Sequence, residues 1–226
     1  MRRFILVLSC FFLSLEAREW IILSGGPALR FFEAGKERSH DKHWGNFIDS
    51  AVVRIKELKP QLAAGDQITW LVYRPGYQSR GGEINGDLLT NILKRANKEE
   101  VALFWFDTQD QLINYLNSGK DRSTTKIRHF DYFGHSNKAC LLFDYSNVMD
   151  SMSKDYLHTM NFKKIKKDIF TPDAFCQSWG CHSGEFYSGK WKAHFGVPMV
   201  GAIGKTDYSR LHSLPFLSSD KGRWAQ

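Results

Sequence analysis

Two stretches of this chain end an apolar run on a residue that can do chemistry. FDYFGHSN leads to His135, and FCQSWGCHSG leads to Cys181, 46 positions later. A thiol is a nucleophile only as its thiolate. A neighbouring imidazole can take that proton and later return one to a leaving amine. Gly180 and Gly184 flank the cysteine closely, so the turn can present sulfur at the end of a strand. A helix after that turn would bring its N-terminus, and a field favouring negative charge, near the thiol. Backbone N–H groups at Cys181 and around Ser136, with Gly134 and Gly180 beside them, are the oxyanion candidates. Other uses of the same residues are weaker. His182 adjoins Cys181, but neighbours on an extended chain point apart. Cys176 lies inside the apolar run and reads as core, with Cys140 either core or a surface thiol. Cys176, Cys181, His182 and His135 offer soft ligands, yet their spacing fits no standard zinc pattern. Asp131 reads as structural.

The chemistry requires both residues at one rim, and the surrounding pattern supplies a way. EWIILSGG, ITWLVYRPGY, VALFWF, IRHFDYFGHS, DAFCQSWGC and VPMVGAIG read as buried strands, with VPMVGAIG the last. ACLLFDYS reads as a short hairpin partner. Between the strands, apolar residues recur at helical spacing from Asn46 to Leu58 before Pro60, and from Leu88 to Ala96. A third helix follows a Thr108–Gln111 capping box and stops at Gly119. Further helices are expected from about Ser153 to Ile169 and over EFYSGKWKAHFG, with RFFEAGKERSHDKHWGN and SRGGEING as loops. Alternating strands and helices predict a three-layer α/β/α sandwich around a mostly parallel central sheet. Ligands in such sheets sit beyond the carboxyl ends of the strands. His135 and Cys181 would share a rim if their strands are parallel neighbours.

The 226 residues carry a net charge of +7. The basic residues are scattered, and KKIKK at 163–167 reads as a solvated helix face, so nucleic acid is not the expected partner. The opening MRRFILVLSCFFLSLEA has two arginines and an apolar run from Phe4 to Leu15, the pattern of a secretory signal. Residues 1–17 are read as that signal, and 18–226 as one domain that is exported and carries no membrane span. Loss of the signal removes two arginines and one glutamate, leaving +6. Cys140, Cys176 and Cys181 then remain. An odd number in an oxidising compartment leaves at least one thiol unpaired within the chain. A Cys140–Cys176 disulfide would spare Cys181.

YFGHSN and FCQSWGCHSGE resemble the His and Cys motifs of the caspase-like cysteine peptidases, the superfamily of caspases, legumains and gingipains. The order His then Cys matches, and so does a separation close to that of the caspases. IILSGGP and the loop holding SHDKHWGNF look most like the opening of the legumain-type branch. FGVPMVGAIGKTDYS is similar to the strand and loop after the nucleophile in bacterial members. The resemblance spans about residues 20 to 210. It implies a caspase-like fold and a His135–Cys181 dyad that hydrolyses peptide bonds through a thioester acyl-enzyme, with a peptide or protein substrate and no cofactor. It also implies that the loop from Lys205 to Arg210 helps shape the pocket for the residue before the cut. Asp207 would suit a basic residue there, and Lys205 or Arg210 an acidic one. Two departures stand out. Ser136 follows the histidine where the family has glycine, and the caspase Gln-Ala-Cys-x-Gly signature is replaced by Gly180-Cys181-His182-Ser183-Gly184. They leave open a catalytically inactive, peptide-binding homologue.

Overall fold

The computed structural model describes residues 17–27, 43–144 and 155–226. Residues 1–16 of the expected signal segment and most of the first polar loop lie outside them. Strand β1 (Glu19–Ser24) leads to α1 (Asn46–Leu58), and a single 3-10 turn over Lys59–Gln61 closes α1 at Pro60. There follow β2 (Gln67–Tyr73), α2 (Arg74–Ile84), α3 (Leu88–Lys98), β3 (Ala102–Phe106) and α4 (Gln109–Ser118). Then come β4 (Ile127–Phe133), β5 (His135–Ser136), β6 (Cys140–Leu142), β7 (Tyr156–His158) and β8 (Phe170–Ser178). The chain continues through α5 (Tyr187–Phe195), β9 (Met199–Ile203), β10 (Thr206–Asp207), β11 (Phe216–Leu217) and β12 (Arg223–Ala225). No helix among the described residues is long and apolar enough to cross a membrane.

The protein is α/β, with a central sheet ordered β12-β9-β8-β4-β1-β2-β3. Neighbours from β9 to β3 pair in parallel, and β12 joins antiparallel to β9. In chain order the six parallel strands stand 3-2-1-4-5-6, the doubly wound arrangement, with its switch between β1 and β4. Alternation along each strand sends side chains to two cores. Trp20 and Ile22 meet Phe47, Ile48, Ile55 and Ile92 of α1 and α3 on one face, while Ile21 and Leu23 share the other with Leu112, Leu116 and Trp191 of α4 and α5. Helices therefore cover both faces, as a three-layer sandwich requires. β5, β6 and β7 form a separate antiparallel sheet beyond the end of β4, which accounts for the expected hairpin.

Three sequence expectations need correction. Residues 74–84 are helix, where strand end and loop were expected. Pro75 lies in the first turn, where its fixed φ and missing N–H cost nothing. Gly76 is needed because a Cβ there would lie 2.7 Å from the Gly26 Cα. The helix expected from 153 to 169 is absent over its described part. Tyr156–His158 is strand, Thr159–Lys164 a 3-10 turn, and Ile165 extended. The His158 ring accepts the Met160 N–H, and Asn161 accepts the His158 N–H, so local side-chain bonds stop the helix from propagating. Lysines 163, 164, 166 and 167 are exposed, as expected, but on no α-helix. Finally, β9 is not the last strand, since β10, β11 and β12 follow it.

Both cores bury ionic groups. In the α4 core, Glu19 is 0% exposed and pairs with Arg122 at 2.6 Å. Its other oxygen accepts from Thr69 Oγ1 and Tyr115 Oη, each at 2.6 Å. Arg122 also donates to the carbonyls of Leu116 and Tyr115 at the end of α4. Removing one member of such a pair strands the other charge in the interior. Arg122→Ala should lower unfolding free energy by about 3–5 kcal/mol in urea titrations. The double variant Glu19→Leu/Arg122→Met should lose less than Arg122→Ala alone.

Candidate active site

The two candidate loops leave adjacent parallel strands. Tyr132 on β4 stands opposite Ser178 on β8, and one step on the Trp179 N–H donates to the Tyr132 carbonyl at 2.9 Å. His135 follows the end of β4 by two residues, and Cys181 follows the end of β8 by three. Between them runs a seam without room for side chains. A Cβ on Gly180 would run into Ser136 Oγ and lie 2.9 Å from the Gly134 carbonyl, and one on Gly134 would run into the Tyr132 ring. Ser136 Oγ donates to the Cys181 carbonyl at 2.6 Å. Gly134, Ser136 and Gly180, singled out as oxyanion candidates, therefore join the histidine loop to the cysteine loop. The Gly134 N–H is already used, since it donates to Tyr208 Oη at 3.3 Å. That hydroxyl in turn donates to the Trp179 carbonyl at 3.0 Å. The Cys181 N–H meets no acceptor among the described residues.

Below the seam, Asp131 anchors Trp179. The Asp131 carboxylate is 0% exposed and accepts from Trp179 Nε1 (3.0 Å), Arg54 Nε (2.8 Å) and His129 Nε2 (2.5 Å). Burial pushes its pKa up, but His129 and Arg54 more than reverse that, and the group sits below the ordinary carboxylate range. The structural reading of Asp131 thus acquires a specific partner. It holds the indole one residue ahead of Gly180-Cys181.

His135 and Cys181 are each half-buried. The imidazole sits edge-on to Phe47 of α1 at 5.1 Å, and Phe47 makes a similar contact with Tyr208 at 4.8 Å. Cys181 Sγ accepts the Thr206 N–H at 3.4 Å and lies 3.5 Å from Thr206 Oγ1. The other cysteines differ. Cys140 and Cys176 are buried and unpaired, so the disulfide considered between them is not formed. Burial raises the Cys140 thiol to about 11 and moves Cys176 in the same direction. Such thiols are poor nucleophiles.

The turn that carries Cys181 is clamped onto the end of β9. The His182 N–H donates to the Gly204 carbonyl and the Gly184 N–H to that of Ala202, at 2.7 and 2.9 Å. Gly184 and Gly201 approach so closely that a Cβ on Gly184 would lie 2.5 Å from the Gly201 carbonyl. The turn runs to residue 186 and α5 starts at Tyr187, so the expected helix terminus is separated from Cys181 by the whole turn. His182 has a positive φ of 59°, and its Nδ1 is 2.5 Å from Glu185 Oε1. The other Glu185 oxygen pairs with Lys138, in the β5–β6 connection, at 2.8 Å. Glu185 also accepts the Gly204 N–H at 3.1 Å, and so ties three loops together.

At the pocket candidates, Asp207 Oδ1 accepts the Ser209 N–H at 2.7 Å. The Arg210 guanidinium lies 4.2 Å over the Phe216 ring, and Lys205 is exposed. Among the described residues no three His, Cys, Asp or Glu side chains converge as a metal-binding group. Phe47, Glu185, Thr206 and Tyr208 are the site residues that sequence reasoning missed. Only the three-residue step from His182 to Glu185 is a local signal.

Lys138 and then His182 hold the Glu185 carboxyl at about 2, against an ordinary 4.5. A depressed carboxyl stabilises the fold above its unfolded pKa, and that stabilisation is lost as pH falls toward the folded value. Thermal midpoints of Glu185→Gln should therefore respond less to acidification between about pH 4.5 and about pH 2 than those of the native protein. Comparison with known proteins gives no match: no family model, no curated protein and no solved structure is significantly similar to this chain.

Proposed function

We propose that this protein is an exported cysteine endopeptidase of caspase-like type, closest to the bacterial legumain-type branch. Cys181 is the nucleophile and His135 the general base and acid. The observation that carries this reading is the seam. A half-buried cysteine and a half-buried histidine follow neighbouring parallel strands, and the loops that carry them are joined by the hydrogen bond from Ser136 Oγ to the Cys181 carbonyl.

In this reading His135 takes the thiol proton as sulfur attacks the scissile carbonyl. The Cys181 N–H, having no acceptor among the described residues, is the oxyanion donor. His135 then protonates the leaving amine, and the thioester left on Cys181 is hydrolysed by water that gives its proton to His135. The Lys205–Arg210 segment lies beside the sulfur through Thr206 and supplies the wall for the residue before the cut. Export rests on the pattern of residues 1–17.

A second reading has its own observation. Ser136, standing where glycine is the family's choice, puts a hydroxyl against the carbonyl of Cys181 itself. A protein that binds peptides on this rim without cleaving them would keep the same geometry, and its binding would survive Cys181→Ala. The two readings separate in a peptide-library digest run with and without an alkylating agent. The peptidase should give alkylation-sensitive cuts after a restricted set of residues. Cys181→Ala and His135→Ala should each lower the rate by about 10³-fold or more. A native protein that cuts no library member excludes the first reading.

A further inference from the structure

Thr206 is 1% exposed and directs three atoms at the Cys181 sulfur. Its N–H donates to Sγ at 3.4 Å, its hydroxyl lies at 3.5 Å, and its carbonyl, at 3.7 Å, can accept from the S–H. We propose that Thr206 is a positioning residue that fixes the direction of the Cys181 thiol and favours its thiolate. This rests on reading Cys181 as the nucleophile.

The two protonation states meet different partners. The neutral thiol has a single proton, which it can give to the Thr206 carbonyl or to the Thr206 hydroxyl but not to both. The thiolate has two donors, because a hydroxyl rotor that accepts from S–H can turn and donate to S⁻. Hydrogen bonds to a charged atom are roughly twice as strong as neutral ones, so the balance favours the anion. Both donors belong to one residue, so they also fix where the sulfur points.

The backbone, not the threonine side chain, puts this residue there. Gly204 turns the chain at the end of β9 with a φ of 92°, and a Cβ there would lie 2.8 Å from Ser219 Oγ. The Lys205 N–H donates to Ser219 Oγ, and its carbonyl accepts the Ser218 N–H, each at 2.9 Å. Thr206 itself pairs with Leu217. The hydroxyl can therefore be removed without removing what holds the strand. The other ionisable groups on the elements that meet this turn are His135 of β5, His182 and Glu185 within the turn itself, Lys138 on Glu185, Tyr132 of β4, and Asp207 and Lys205 beside Thr206.

The test is the rate of iodoacetamide alkylation at Cys181 in the intact protein, followed by mass spectrometry from about pH 5 to about pH 9. Thr206→Val keeps the shape and the N–H but loses the hydroxyl. It should make alkylation about tenfold slower near neutral pH. Thr206→Ser should follow the native profile. If Thr206→Val does not fold, Thr206→Ala against Thr206→Ser gives the same contrast. A valine or alanine profile that superimposes on the native one overturns the proposal, as does a serine profile shifted as far as valine's. Peptide cleavage is measured in parallel. A native protein that shows this Thr206 dependence yet cuts no peptide refutes the peptidase reading and supports the role of Thr206.

Discussion

In the β4–β8 ladder, Tyr132 faces Ser178, and the Trp179 N–H extends the pairing by one more hydrogen bond. Everything at the rim follows from that register. A slip of one residue would turn Asp131 away from the Trp179 indole and carry Phe130 and Tyr132 to the opposite core. It would also break the meeting of Gly180 with the Gly134 carbonyl, which a Cβ on Gly180 would approach to 2.9 Å. Tyr208 reinforces the same register from the far side of the cysteine loop, through one hydroxyl shared between Gly134 and Trp179.

The register is itself held by polar groups that the sheet buries on both sides. Glu19 and Arg122 lie on one face, and Asp131 with Arg54 and His129 on the other. His129 is stacked between Trp20 and Phe175, at 5.2 Å from each. Buried ion pairs contribute little net stability against an apolar core of similar shape, but a wrong arrangement leaves charges unpaired. In this sheet a change of strand pairing would separate Glu19 from Arg122 or Asp131 from Arg54 and His129. Near the rim the Asp131 carboxylate has a second consequence. It fixes Trp179, which stacks on Phe133 at 5.8 Å and meets Trp224 of β12 at 5.2 Å. The cysteine turn therefore starts from a rigid aromatic base.

Patterning carried the central architecture. The apolar runs of β1, β2, β3, β4, β8 and β9 and the helical spacing from Asn46 to Leu58 and from Leu88 to Ala96 lie where expected, because burial dominates those segments. The expected capping box is half made: Thr108 Oγ1 accepts the Gln111 N–H, but the Gln111 side chain reaches the Asp107 N–H instead of closing on Thr108. Segments went astray where short-range chemistry or a distant contact outweighed composition. Pro75-Gly76 read as a strand stop and Gly81-Gly82 as loop, although all of them lie in α2 and Gly76 packs directly on Gly26. The lysine-rich stretch near 163 read as helix, although His158 and Asn161 cap a single tight turn. At the site, the two strand-end residues were legible because each closes an apolar run. Thr206 and Tyr208 were not, because their partners lie 25 and 29 positions back in the chain and nothing local marks the meeting.

β1 stands in the middle of the sheet but early in the chain. It pairs with β2, whose residues follow within about fifty positions, and with β4, where Ser24 meets Phe133, 109 residues later. During synthesis one side of β1 has no native partner until that later strand emerges. A buried, apolar strand with an open side is a template for pairing with other chains. Such long-separation contacts also slow the search for the native topology, since the loop must close before the contact rewards it. Yield of native molecules should thus depend on how well β1 is shielded during that interval, and a chaperone that binds extended apolar segments would find its natural target in WIILS.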